Sequence, residues 1–482
     1  MDYEAVIGLE VHVQLKTNTK MFTRAPYRYG EAPNTLVDPL VLGLPGVLPV
    51  FNLEAIKKTI QLGLMFDCQI AEICKWDRKH YFYPDLPKGY QISQYDQPLC
   101  VGGRVEIELP GTARNIMGQH RTVRLNRIHL EEDVGKLSHL GNASLVDYNR
   151  AGACLVEIVS EPDIFSPEEA FAYLTSLKTH LMYAGLSDCD MEKGQLRCDA
   201  NISIRPKGST KLGTKVELKN LNSISGVRNG IAFEIKRQTE ALNKGQIIHQ
   251  ETRRWDLEKE VSSPLRGKEN AHDYRYFPDP DLMPIQVSEN LKNSLKAALP
   301  ELPFAKQERF FKDYGLAYTH TSVLCPDKDL SAYFEKAVQL YNNPITLANL
   351  IVNDLLRELG SSPLEECPIS PENLAELVRC IDDGKVSKQM AQDIFKDMFL
   401  SGKGPLSIIE EKGLSQNSDQ DSIKALCKEA IAHNPKAIQE YRQGKTNAIN
   451  ALKGAIMKAS QGKANPKLVD QLLIELIQSE SS

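Results

Sequence analysis

The stretch that decides the fold is residues 4–15, which read EAVIGLEVHVQL. Apolar side chains occupy every second position from Ala5 to Leu15, and Glu10, His12 and Gln14 alternate with them. Because the side chains of a β-strand point to opposite faces in turn, this pattern predicts a strand with one apolar and one polar face. Side chains on the same face lie about 6.5–7 Å apart, since each residue advances the strand by ~3.3 Å. Glu10 and His12 could share a metal ion at that spacing, and the alternative interpretation is an ordinary solvated face.

Two later segments repeat this alternation. Residues 196–205 (LRCDANISIR) and 214–219 (TKVELK) each set apolar side chains on one face against polar and charged ones on the other. Three such strands predict an antiparallel sheet that packs one face on a core and leaves the other polar. The polar face carries Asp199 and Glu217 among Arg and Lys side chains. Acids interleaved with cations are what a metal-bound phosphate site needs.

The composition is that of an ordinary globular protein with several domains. The chain has 482 residues, of which 41% are hydrophobic and 25% are charged, and this length predicts about two to four domains. No apolar run approaches the ~20 residues that span a bilayer, and the acidic N-terminus enters a strand directly, unlike a signal peptide. The ten cysteines form no CxxC pair, which favours reduced, buried thiols over a zinc ribbon. These features predict a cytoplasmic protein without a membrane segment.

The chain divides by composition into three predicted domains. Residues 1–295 mix alternating patterns with a capped amphipathic segment at 166–185, and this mixture predicts an α+β fold. Beyond LPELP at 299–303 the sequence shifts to helix formers. GKGP at 402–405 and the polar run 415–422 then predict a break before a small helical module. The predicted domains are 1–295, 296–407 and 408–482.

The last predicted domain is strongly basic, although the whole chain carries a net charge of −5. Residues 424–467 contain nine Lys and Arg side chains against two acids, Glu429 and Glu440. Such a patch neutralises phosphates, and its binding weakens as the salt concentration rises. The alternative interpretation is a helical surface whose charges only keep it in solution.

Two other segments carry carboxylates in unusual settings. Residues 127–136 (RIHLEEDVGK) contain three consecutive acids, whose mutual repulsion a bound cation would relieve. A surface acidic turn is the alternative. Glu157 stands alone in the apolar run LVEIV at 155–159. Burial of an unpaired carboxylate costs several kcal/mol, so Glu157 requires a partner or a metal unless it lies at a sheet edge.

Two loops combine aromatic and basic side chains. Residues 77–90 (DRKHYFYPDLPKGY) and 266–282, which include HDYRYFPD at 272–279, interleave Tyr and Phe with Arg, Lys and His. Rings and cations in this pattern suit stacking on a nucleobase and pairing with phosphate. A buried aromatic turn is the alternative for either loop alone. The sequence contains no GxxxxGK[ST], kinase or GxSxG motif, so any use of ATP lies outside those families.

In combination, these segments resemble the B subunits of bacterial aspartyl/glutamyl-tRNA(Asn/Gln) amidotransferases, the GatB family. The matching segments follow one another along essentially the whole chain: IGLEVHVQL, LGLPGVLP, DRKHYFYPDLPKGYQIS, RIHLEEDVGK, EIVSEPD, DANISIRP, ELKNLNS, DYRYFPDPDL and GKANP. No one segment would suffice, but their number and order make the resemblance specific. One departure is at Ala153 and Cys154, where the family usually has a residue followed by Pro. We expect a local backbone adjustment there and no loss of activity.

The resemblance implies a fold, a reaction and partners. The implied fold is an N-terminal cradle domain built on an antiparallel sheet with flanking helices, then an all-α helical domain and a small helical YqeY-like tail, and the last two grip tRNA. The implied reaction uses ATP and Mg²⁺ to phosphorylate the side-chain carboxylate of Glu on tRNA(Gln) or of Asp on tRNA(Asn). Ammonia then displaces the phosphate. The implied complex is a heterotrimer, in which a glutaminase (the A subunit) supplies the ammonia and the small C subunit holds the other two together.

The predicted site residues fall into three sets. The resemblance implies metal binding by Glu10, His12, Glu132, Glu157, Asp199 and Glu217. Of these, Glu10, His12 and Glu132 are the implied catalytic residues, with Glu132 preferred to Glu131 within the acidic run. From their chemistry and position, the predicted phosphate and ATP contacts are Lys79, Lys88, Arg205 and Lys215. The predicted tRNA contacts are the tail residues Lys445, Lys453, Lys458 and Lys463.

Two other functions compete with an amidotransferase. The chain could be a non-catalytic tRNA-binding scaffold of the same complex, or a metal-dependent nuclease that acts on the same RNA. The cluster of acids argues against a scaffold, because clustered carboxylates do not help to bind RNA phosphates. Intact tRNA after incubation with Mg²⁺ would exclude a nuclease.

Overall fold

The computed structural model describes residues 2–110, 118–267, 273–413, 420–442, 445–460, 464 and 466–479. The chain separates into two compact units, Met1–Ala305 and Lys306–Ser482. All strands of the described residues belong to the first unit, and the second unit is helical. The predicted α+β class with a helical C-terminal part is therefore confirmed. Lys463, one of the predicted tRNA contacts, lies outside the described residues.

Seventeen strands in the described residues form the sheets of the first unit. They are β1 Tyr3–Gln14, β2 Gln69–Ile70, β3 Ile73–Cys74, β4 Asp77–His80, β5 Tyr90–Ser93, β6 Cys100–Val101, β7 Arg104–Leu109, β8 Gln119–Glu132, β9 Lys136–Leu140, β10 Ala143–Asp147, β11 Cys154–Ser160, β12 Leu196–Pro206, β13 Val216–Leu221, β14 Glu251–Asp256, β15 Val261–Gly267, β16 Phe277–Pro278 and β17 Ile285–Gln286. One sheet has ten strands in the order β15-β14-β13-β12-β1-β11-β8-β6-β2, with β7 paired to β8. The other strands form three small sheets, β9 with β10, β4 with β5 and β16, and β3 with β17.

β1 lies in the middle of the large sheet and confirms the predicted alternation. It pairs antiparallel with β11 on one edge and with β12 on the other. Its apolar side chains Ile7, Leu9 and Val11 are fully buried. Glu10 and His12, on the opposite face, remain partly exposed. Because both edges of β1 are hydrogen-bonded to neighbours, its backbone holds these two side chains in defined positions.

The predicted antiparallel pairing is confirmed, and the sheet continues beyond it with one parallel pair. β12 pairs antiparallel with β1 and with β13, and β14 then joins β13 in parallel. The helix Ile224–Asn243 connects β13 to β14. Such a crossover returns the chain in its original direction, which a short hairpin cannot do. β13 itself lies two residues further along the chain than the predicted segment 214–219.

Three helices of the first unit pack against its strands, α1 Leu53–Met65, α2 Pro167–Tyr183 and α3 Ile224–Asn243, and α4 Glu289–Ala297 packs against α1. α2 begins as predicted, because the hydroxyl of Ser166 accepts the backbone N–H of Glu169 at 3.1 Å. It ends just before Gly185, whose φ of +67° lies in the left-handed region that favours glycine. Leu177 of this helix and Leu9 of β1 belong to one buried apolar cluster.

The second unit consists of helices and short turns, and its first helix begins three residues before the boundary at Lys306. They are α5 Pro303–Tyr314, α6 Tyr318–Leu324, α7 Lys328–Leu340, α8 Pro344–Asn349, the π-helical segment Leu350–Leu355, α9 Leu356–Leu359, the 3₁₀ turn Leu364–Glu366, α10 Pro371–Asp382, α11 Lys388–Ser401, α12 Pro405–Lys412, α13 Gln420–His433, α14 Pro435–Arg442, the 3₁₀ turn Thr446–Ala448, α15 Ile449–Ala459 and α16 Pro466–Ser479. The predicted break is present, since Gly402 ends α11 with a φ of +69° and Pro405 begins α12.

Buried apolar side chains of the second unit form two clusters, one within α5 to α12 and one within α13 to α16. The predicted domain boundaries at 295/296 and 407/408 stay predictions. None of the helices within the described ranges combines the length and the apolar run that crossing a bilayer requires.

Candidate metal and catalytic site

The polar face of the large sheet is a strip across five strands, β8, β11, β1, β12 and β13. Residues directly opposite one another in antiparallel strands share a face, so the register decides which side chains meet. The facing pairs are His129–Glu157, Glu157–His12, His12–Arg197, Glu10–Asp199 and Asn201–Glu217. Five of the six predicted metal positions therefore share this face, and Glu132 is the exception.

His12, Glu131 and Glu157 form the tightest group on the strip, which we call the His12 cluster. Nε2 of His12 lies 3.3 Å from Oε2 of Glu157 and 3.7 Å from Oε1 of Glu131. One potential ligand atom from each of the three residues lies within 4.8 Å of the others. Among the described residues, the ion-pair partners of the two carboxylates are histidines, His12 and His129, and not Lys or Arg.

The two carboxylates of the His12 cluster influence each other's titration. Burial and the charge of Glu157 raise the pKa of Glu131 to about 7. Burial also acts to raise the pKa of Glu157, but the neighbouring histidines outweigh it and the pKa lies below its ordinary value. Burial opposes the charge of His12, yet Glu157 and Glu131 raise its pKa. A cation bound here would favour the deprotonated forms of all three side chains, because metal ligands must be deprotonated.

His129 is a fourth member of this environment, and the sequence prediction missed it. Its side chain is 4% exposed, and Nε2 lies 3.5 Å from Oε2 of Glu157 and 3.9 Å from Oε2 of Glu131. Burial lowers the pKa of His129 to about 4, so the imidazole is neutral at pH 7. Its Nδ1 is buried without a hydrogen-bond partner in the described structure. The signal was present in the sequence, because a period of two places His129 and Glu131 on one face of a strand.

Glu132 points away from the His12 cluster. Its carboxylate accepts hydrogen bonds from Nζ of Lys88 and from the backbone N–H of Ile92, the latter at 2.9 Å. Adjacent strand residues point to opposite faces, so Glu131 and Glu132 cannot both reach His12 from β8. The structure brings Glu131 to His12 in place of the predicted Glu132. The predicted metal and catalytic roles of Glu132 stay predictions.

Glu10, Asp199 and Glu217 form a second acidic group on the strip, and Lys219 lies among them. Nζ of Lys219 lies 2.5 Å from Oδ2 of Asp199 and 3.3 Å from Oε1 of Glu217. Glu10 accepts a hydrogen bond from Nδ2 of Asn201 at 2.8 Å. Burial opposes the charge of Lys219, but Asp199 and Glu217 raise its pKa. An ammonium group thus occupies the space between two predicted metal ligands, and we call this arrangement the Lys219 group.

Asp133, the last of the three consecutive acids, forms a buried ion pair. It accepts hydrogen bonds from Nε2 of Gln14 at 2.9 Å and from Nη2 of Arg197 at 3.0 Å, and Nε of Arg150 lies 3.7 Å away. Burial acts to raise the pKa of Asp133, but the two arginines lower it below its ordinary value. Since all three acids of this run are buried, the alternative of a surface acidic turn is excluded.

A cavity of about 850 Å³ opens beside this ion pair, and Arg150 and Arg197 line it. The other charged side chains on its wall are Arg28, Lys136, Lys193, Glu31, Asp147, Glu192 and Asp199. Small-molecule sites typically have volumes of ~300–1,000 Å³, so the cavity can hold a ligand the size of a nucleotide. Guanidinium groups on the wall suit phosphate oxygens, with which Arg forms paired hydrogen bonds.

The four predicted phosphate contacts lie in different surroundings. The positive charge of Lys79 on β4 acts on both carboxylates of the His12 cluster. Nζ of Lys88 forms a buried ion pair with the carboxylate of Glu132. Nε of Arg205 lies 2.6 Å from Oε1 of Glu4, at the far end of β12. Lys215 is exposed just before β13. Among the four, Lys79 is the one whose charge reaches the cluster, and the phosphate roles of all four stay predictions.

The two aromatic loops come together although nearly 200 residues separate them. The backbone N–H of His80 donates to the carbonyl oxygen of Tyr274 at 2.9 Å, and β4 pairs with β16. Residues 268–272 of the second loop lie outside the described part of the chain. The side chains of Phe82 and Tyr83 are 89% and 55% exposed. A buried aromatic turn is therefore excluded for the first loop.

The departure at Ala153 and Cys154 leaves the neighbouring strand regular. β11 begins at Cys154, which is buried, and pairs with β8 without a bulge as far as Val159. Oγ1 of Thr17 lies 3.2 Å from Sγ of Cys154. Glu157 therefore occupies its place opposite His12 within a continuous ladder.

The tail lysines that the structure describes differ in their partners. Nζ of Lys453 lies 2.7 Å from Oδ1 of Asp470, and Nζ of Lys445 lies 3.6 Å from Oε2 of Glu440. Lys458 is exposed on α15. Their predicted role in binding tRNA stays a prediction.

The His12 cluster fits a divalent cation, whereas the Lys219 group already contains a cation. In the cluster, two carboxylate oxygens and an imidazole nitrogen converge, and histidines are their ion-pair partners in the described structure. Carboxylate oxygens are the ligands that Mg²⁺ prefers, while imidazole is a more usual ligand of Zn²⁺ and other transition metals. The donor set thus allows a hard divalent ion with one nitrogen ligand.

The fold and the site together define a two-part protein, in which a mixed sheet carries a candidate catalytic centre and a helical part follows. Comparison with known families agrees with this division. Residues 5–293 match the family model described as the GatB/GatE catalytic domain, and residues 332–477 match the model described as the GatB domain. The chain belongs to the GatB family, as the sequence resemblance predicted.

Three relatives, each named as the B subunit of an aspartyl/glutamyl-tRNA(Asn/Gln) amidotransferase, match the chain over nearly its whole length. The one from Opitutus terrae is 60% identical over 482 residues, which are 99% of each chain. The one from Methylacidiphilum infernorum is 51% identical over 479 residues, 98% of each chain. The one from Carboxydothermus hydrogenoformans is 49% identical over 479 residues, also 98% of each chain.

Proposed function

We propose that this chain is the carboxylate-activating subunit of a tRNA-dependent amidotransferase, which is a ligase. Its substrate is the side-chain carboxylate of Glu on tRNA(Gln), of Asp on tRNA(Asn), or of both. The carboxylate oxygen attacks the γ-phosphorus of ATP, and an acyl phosphate and ADP form. Ammonia then attacks the acyl carbon, phosphate leaves with the electron pair of the C–O bond, and one proton is released as the amide forms. Activation is required because phosphate is a far better leaving group than oxide.

The observation that carries this proposal is the His12 cluster. Its ligand atoms lie within 4.8 Å of one another on the polar face of a sheet. When bound there, Mg²⁺ would neutralise phosphate charge and orient the reacting oxygens. A protein that only bound RNA would gain nothing from one buried and one half-buried carboxylate side by side, because carboxylates repel phosphate.

Other side chains of the first unit suit the phosphates of a substrate. Arg150 and Arg197 face the cavity of about 850 Å³, and Arg197 is oriented by its hydrogen bond to Asp133 at 3.0 Å. A guanidinium held in this way needs no rearrangement when an anion binds, which lowers the cost of binding. The side chain of Glu131 is 5% exposed, and a site that excludes water also protects an acyl phosphate from hydrolysis.

The partners follow from the same reaction. The relatives are named as B subunits, and this name supports a complex with further subunits. In a heterotrimer, we assign the supply of ammonia to a glutaminase (the A subunit) and the connection between the two to the small C subunit. We assign tRNA binding to the helical part, with its tail lysines as phosphate contacts. Because the reaction is a step of protein synthesis, we place it in the cytoplasm.

ATP hydrolysis by the complex of this chain with its partner subunits tests the proposal. With Mg²⁺ and ammonia, we expect hydrolysis with the aminoacylated tRNA and only background with the same tRNA uncharged. Glu157→Gln should reduce this hydrolysis about 100- to 1,000-fold, the loss seen when a group that balances developing charge is removed. Glu161→Gln is the matched control, because Glu161 follows β11 and its carboxylate accepts from Asn126 at 2.9 Å, outside the cluster.

Three results would contradict the proposal. Hydrolysis that does not require the aminoacyl group would show that the carboxylate is not the acceptor. Unchanged turnover in the Glu157→Gln complex would favour a non-catalytic tRNA-binding scaffold. Cleavage of the tRNA in the same mixture would indicate a nuclease instead.

A further inference from the structure

The two aromatic loops enclose a second cavity in the first unit, of about 650 Å³. Its wall includes Lys79, Tyr81, Phe82, Tyr83, Tyr274 and Arg275. We propose that this pocket binds an adenosine that carries a phosphate, with the base on the aromatic rings and the phosphate toward Lys79. The inference rests on the proposed function and deepens it, because it assigns part of substrate binding to residues outside the His12 cluster.

Backbone hydrogen bonds hold the pocket in shape. The N–H of His80 donates to the carbonyl oxygen of Tyr274 at 2.9 Å, and the N–H of Tyr81 donates to the carbonyl oxygen of Gly89 at 3.2 Å. Nδ1 of the His80 ring lies 3.2 Å from the carbonyl oxygen of Arg275. The rings therefore stand on a fixed frame, so little ordering is needed when a ligand binds.

The outer wall of the pocket presents aromatic surface to solvent. Phe82 is 89% exposed and Tyr83 is 55% exposed. The ring of Phe82 lies against Gly89, 3.0 Å from where a Cβ would stand, and Gly89 has a φ of +75°. A glycine at this position thus leaves room for the ring. Exposed rings on a fixed frame are suited to stacking on a flat π-system such as a nucleobase.

The inner wall of the pocket carries Lys79, whose positive charge acts on the carboxylates of the His12 cluster. Nζ of Lys79 lies 4.9 Å from the centroid of the Tyr274 ring. Burial, followed by the charges of Asp85 and Glu131, raises the pKa of Tyr81, so Tyr81 lies within electrostatic reach of the cluster. A ligand whose base stacks on Phe82 would direct its phosphate or ribose toward Lys79 and the acids.

An adenosine phosphate fits these features better than an apolar ligand or a peptide. The volume lies within the ~300–1,000 Å³ usual for small-molecule sites. Rings beside cations match a ligand that is flat at one end and anionic at the other. Both substrates of the proposed reaction offer this chemistry. ATP would extend its phosphates toward Lys79, whereas the terminal adenosine of tRNA would extend the ribose that carries the amino acid.

Equilibrium binding by the assembled complex tests the pocket without any measurement of turnover. Phe82→Leu removes the ring at an exposed position, where it should leave the fold intact. The ligands are ATP, tRNA with its complete 3′ end, and the same tRNA without its terminal adenosine. Loss of a base–aromatic stack should weaken the ligand that uses the pocket about 5- to 100-fold.

The pattern of affinities identifies the occupant of the pocket, and weakening of both ligands means that ATP and the terminal adenosine of tRNA both use it. If Phe82→Leu weakens ATP and not tRNA, the pocket holds the free nucleotide. If the variant weakens intact tRNA and binds intact and shortened tRNA equally, the pocket holds the terminal adenosine. Unchanged affinity for both ligands, in a wild-type complex that binds both, overturns the inference.

A control and a second measurement make the result specific. Phe165→Leu changes an exposed ring just before α2, outside the pocket, and should leave both affinities unchanged. A photoreactive 8-azidoadenine, carried by ATP or by the tRNA terminus, should label residues 79–83 or 273–276, and labelling elsewhere would contradict the inference. A complex that binds both ligands without carboxylate-dependent hydrolysis of ATP would refute the proposed function alone.

Discussion

The two acidic groups on the polar face of the sheet differ in how their charge is balanced. In the Lys219 group, an ammonium lies 2.5 Å from Asp199 and 3.3 Å from Glu217. In the His12 cluster, the described ion-pair partners of Glu131 and Glu157 are histidines. One group therefore contains an ammonium of the chain itself, whereas the described ion-pair partners in the other are imidazoles, and the metal-binding roles predicted for both groups stay predictions.

This difference divides the residues that the family resemblance implied as a single set of metal ligands. Both groups arise from the same alternation along neighbouring strands, so pattern alone cannot distinguish them. The two groups differ in the side chain that a neighbouring strand adds. In the Lys219 group this side chain is Lys219 of β13, and in the His12 cluster it is His129 of β8. The metal-binding roles predicted for Glu10, Asp199 and Glu217 stay predictions, and a metal ion bound there would have to displace Lys219 or lie beside it.

The largest expected effect separates Glu131 from its neighbour Glu132. Glu131→Gln should weaken Mn²⁺ binding by at least about 10- to 100-fold, the loss already typical of an outer partner of a metal ligand. Glu132→Gln, which changes a carboxylate bound to Lys88 and Ile92, should leave Mn²⁺ affinity within about threefold. Electron paramagnetic resonance of free Mn²⁺ measures both. The opposite ranking would support Glu132 as the ligand.

The next effect concerns the internal cation. Lys219→Met should lower the free energy of unfolding by about 1–3 kcal/mol, because Asp199 and Glu217 then lie close together without a balancing charge. Added Mg²⁺ should recover part of this loss, since the variant makes the group similar to the His12 cluster. Urea denaturation with and without Mg²⁺ measures it. Lys215→Met, an exposed lysine on the same segment, is the control, and equal stability of the two variants would contradict the comparison.

A smaller effect is expected in the tail, where an exposed lysine and an ion-paired lysine can be compared for their contribution to tRNA binding. Lys458 is exposed, whereas Lys453 lies 2.7 Å from Asp470. If the tail binds tRNA phosphates, Lys458→Ala should lower the slope of log affinity against log salt by about one. Lys453→Ala should change the slope less, because its charge is already partly balanced. Filter binding of tRNA at several salt concentrations measures both, and equal slopes in wild type and Lys458→Ala would exclude this contact.

The smallest effect concerns a histidine between two carboxylates outside the site. Nδ1 of His120 lies 2.6 Å from Glu106 and Nε2 lies 3.1 Å from Glu108, and these hydrogen bonds raise the pKa of His120 to about 9. Stability from the charged imidazole is therefore complete below the unfolded pKa of ~6.5 and is lost as pH rises through about 9. The amount should be under about 1 kcal/mol, since solvent screens these groups.

Denaturation of wild type and His120→Gln between pH 6 and pH 10 measures this contribution. The difference in stability between the two proteins should shrink as the pH rises, and Mg²⁺ should not alter it. A difference that stays constant over this range would contradict the assignment. If Mg²⁺ strongly changed this difference in stability, His120 and its two glutamates would respond to a metal ion, as the His12 cluster is expected to do.

Features that depend on neighbouring residues were predictable from the sequence. The period of two in β1 and the Ser166 cap of α2 are local signals, and the structure contains both. The break at Gly402 and Pro405 is local in the same sense. The alternation also placed Glu10 and His12 on one face. The same alternation along residues 127–131 places Glu131 on one face with His129, so the position of Glu131 was also predictable from the sequence.

The sequence by itself determined the alternating strands, the helical second part and the family to which the chain belongs. The tertiary structure alone decided that Lys219 lies between Asp199 and Glu217, and that Arg197 orients toward Asp133. It also brought the loop of Phe82 to that of Tyr274. The physical reason is that strand pairing and register join residues far apart in the chain, and no local pattern specifies which distant charge or ring will become the neighbour.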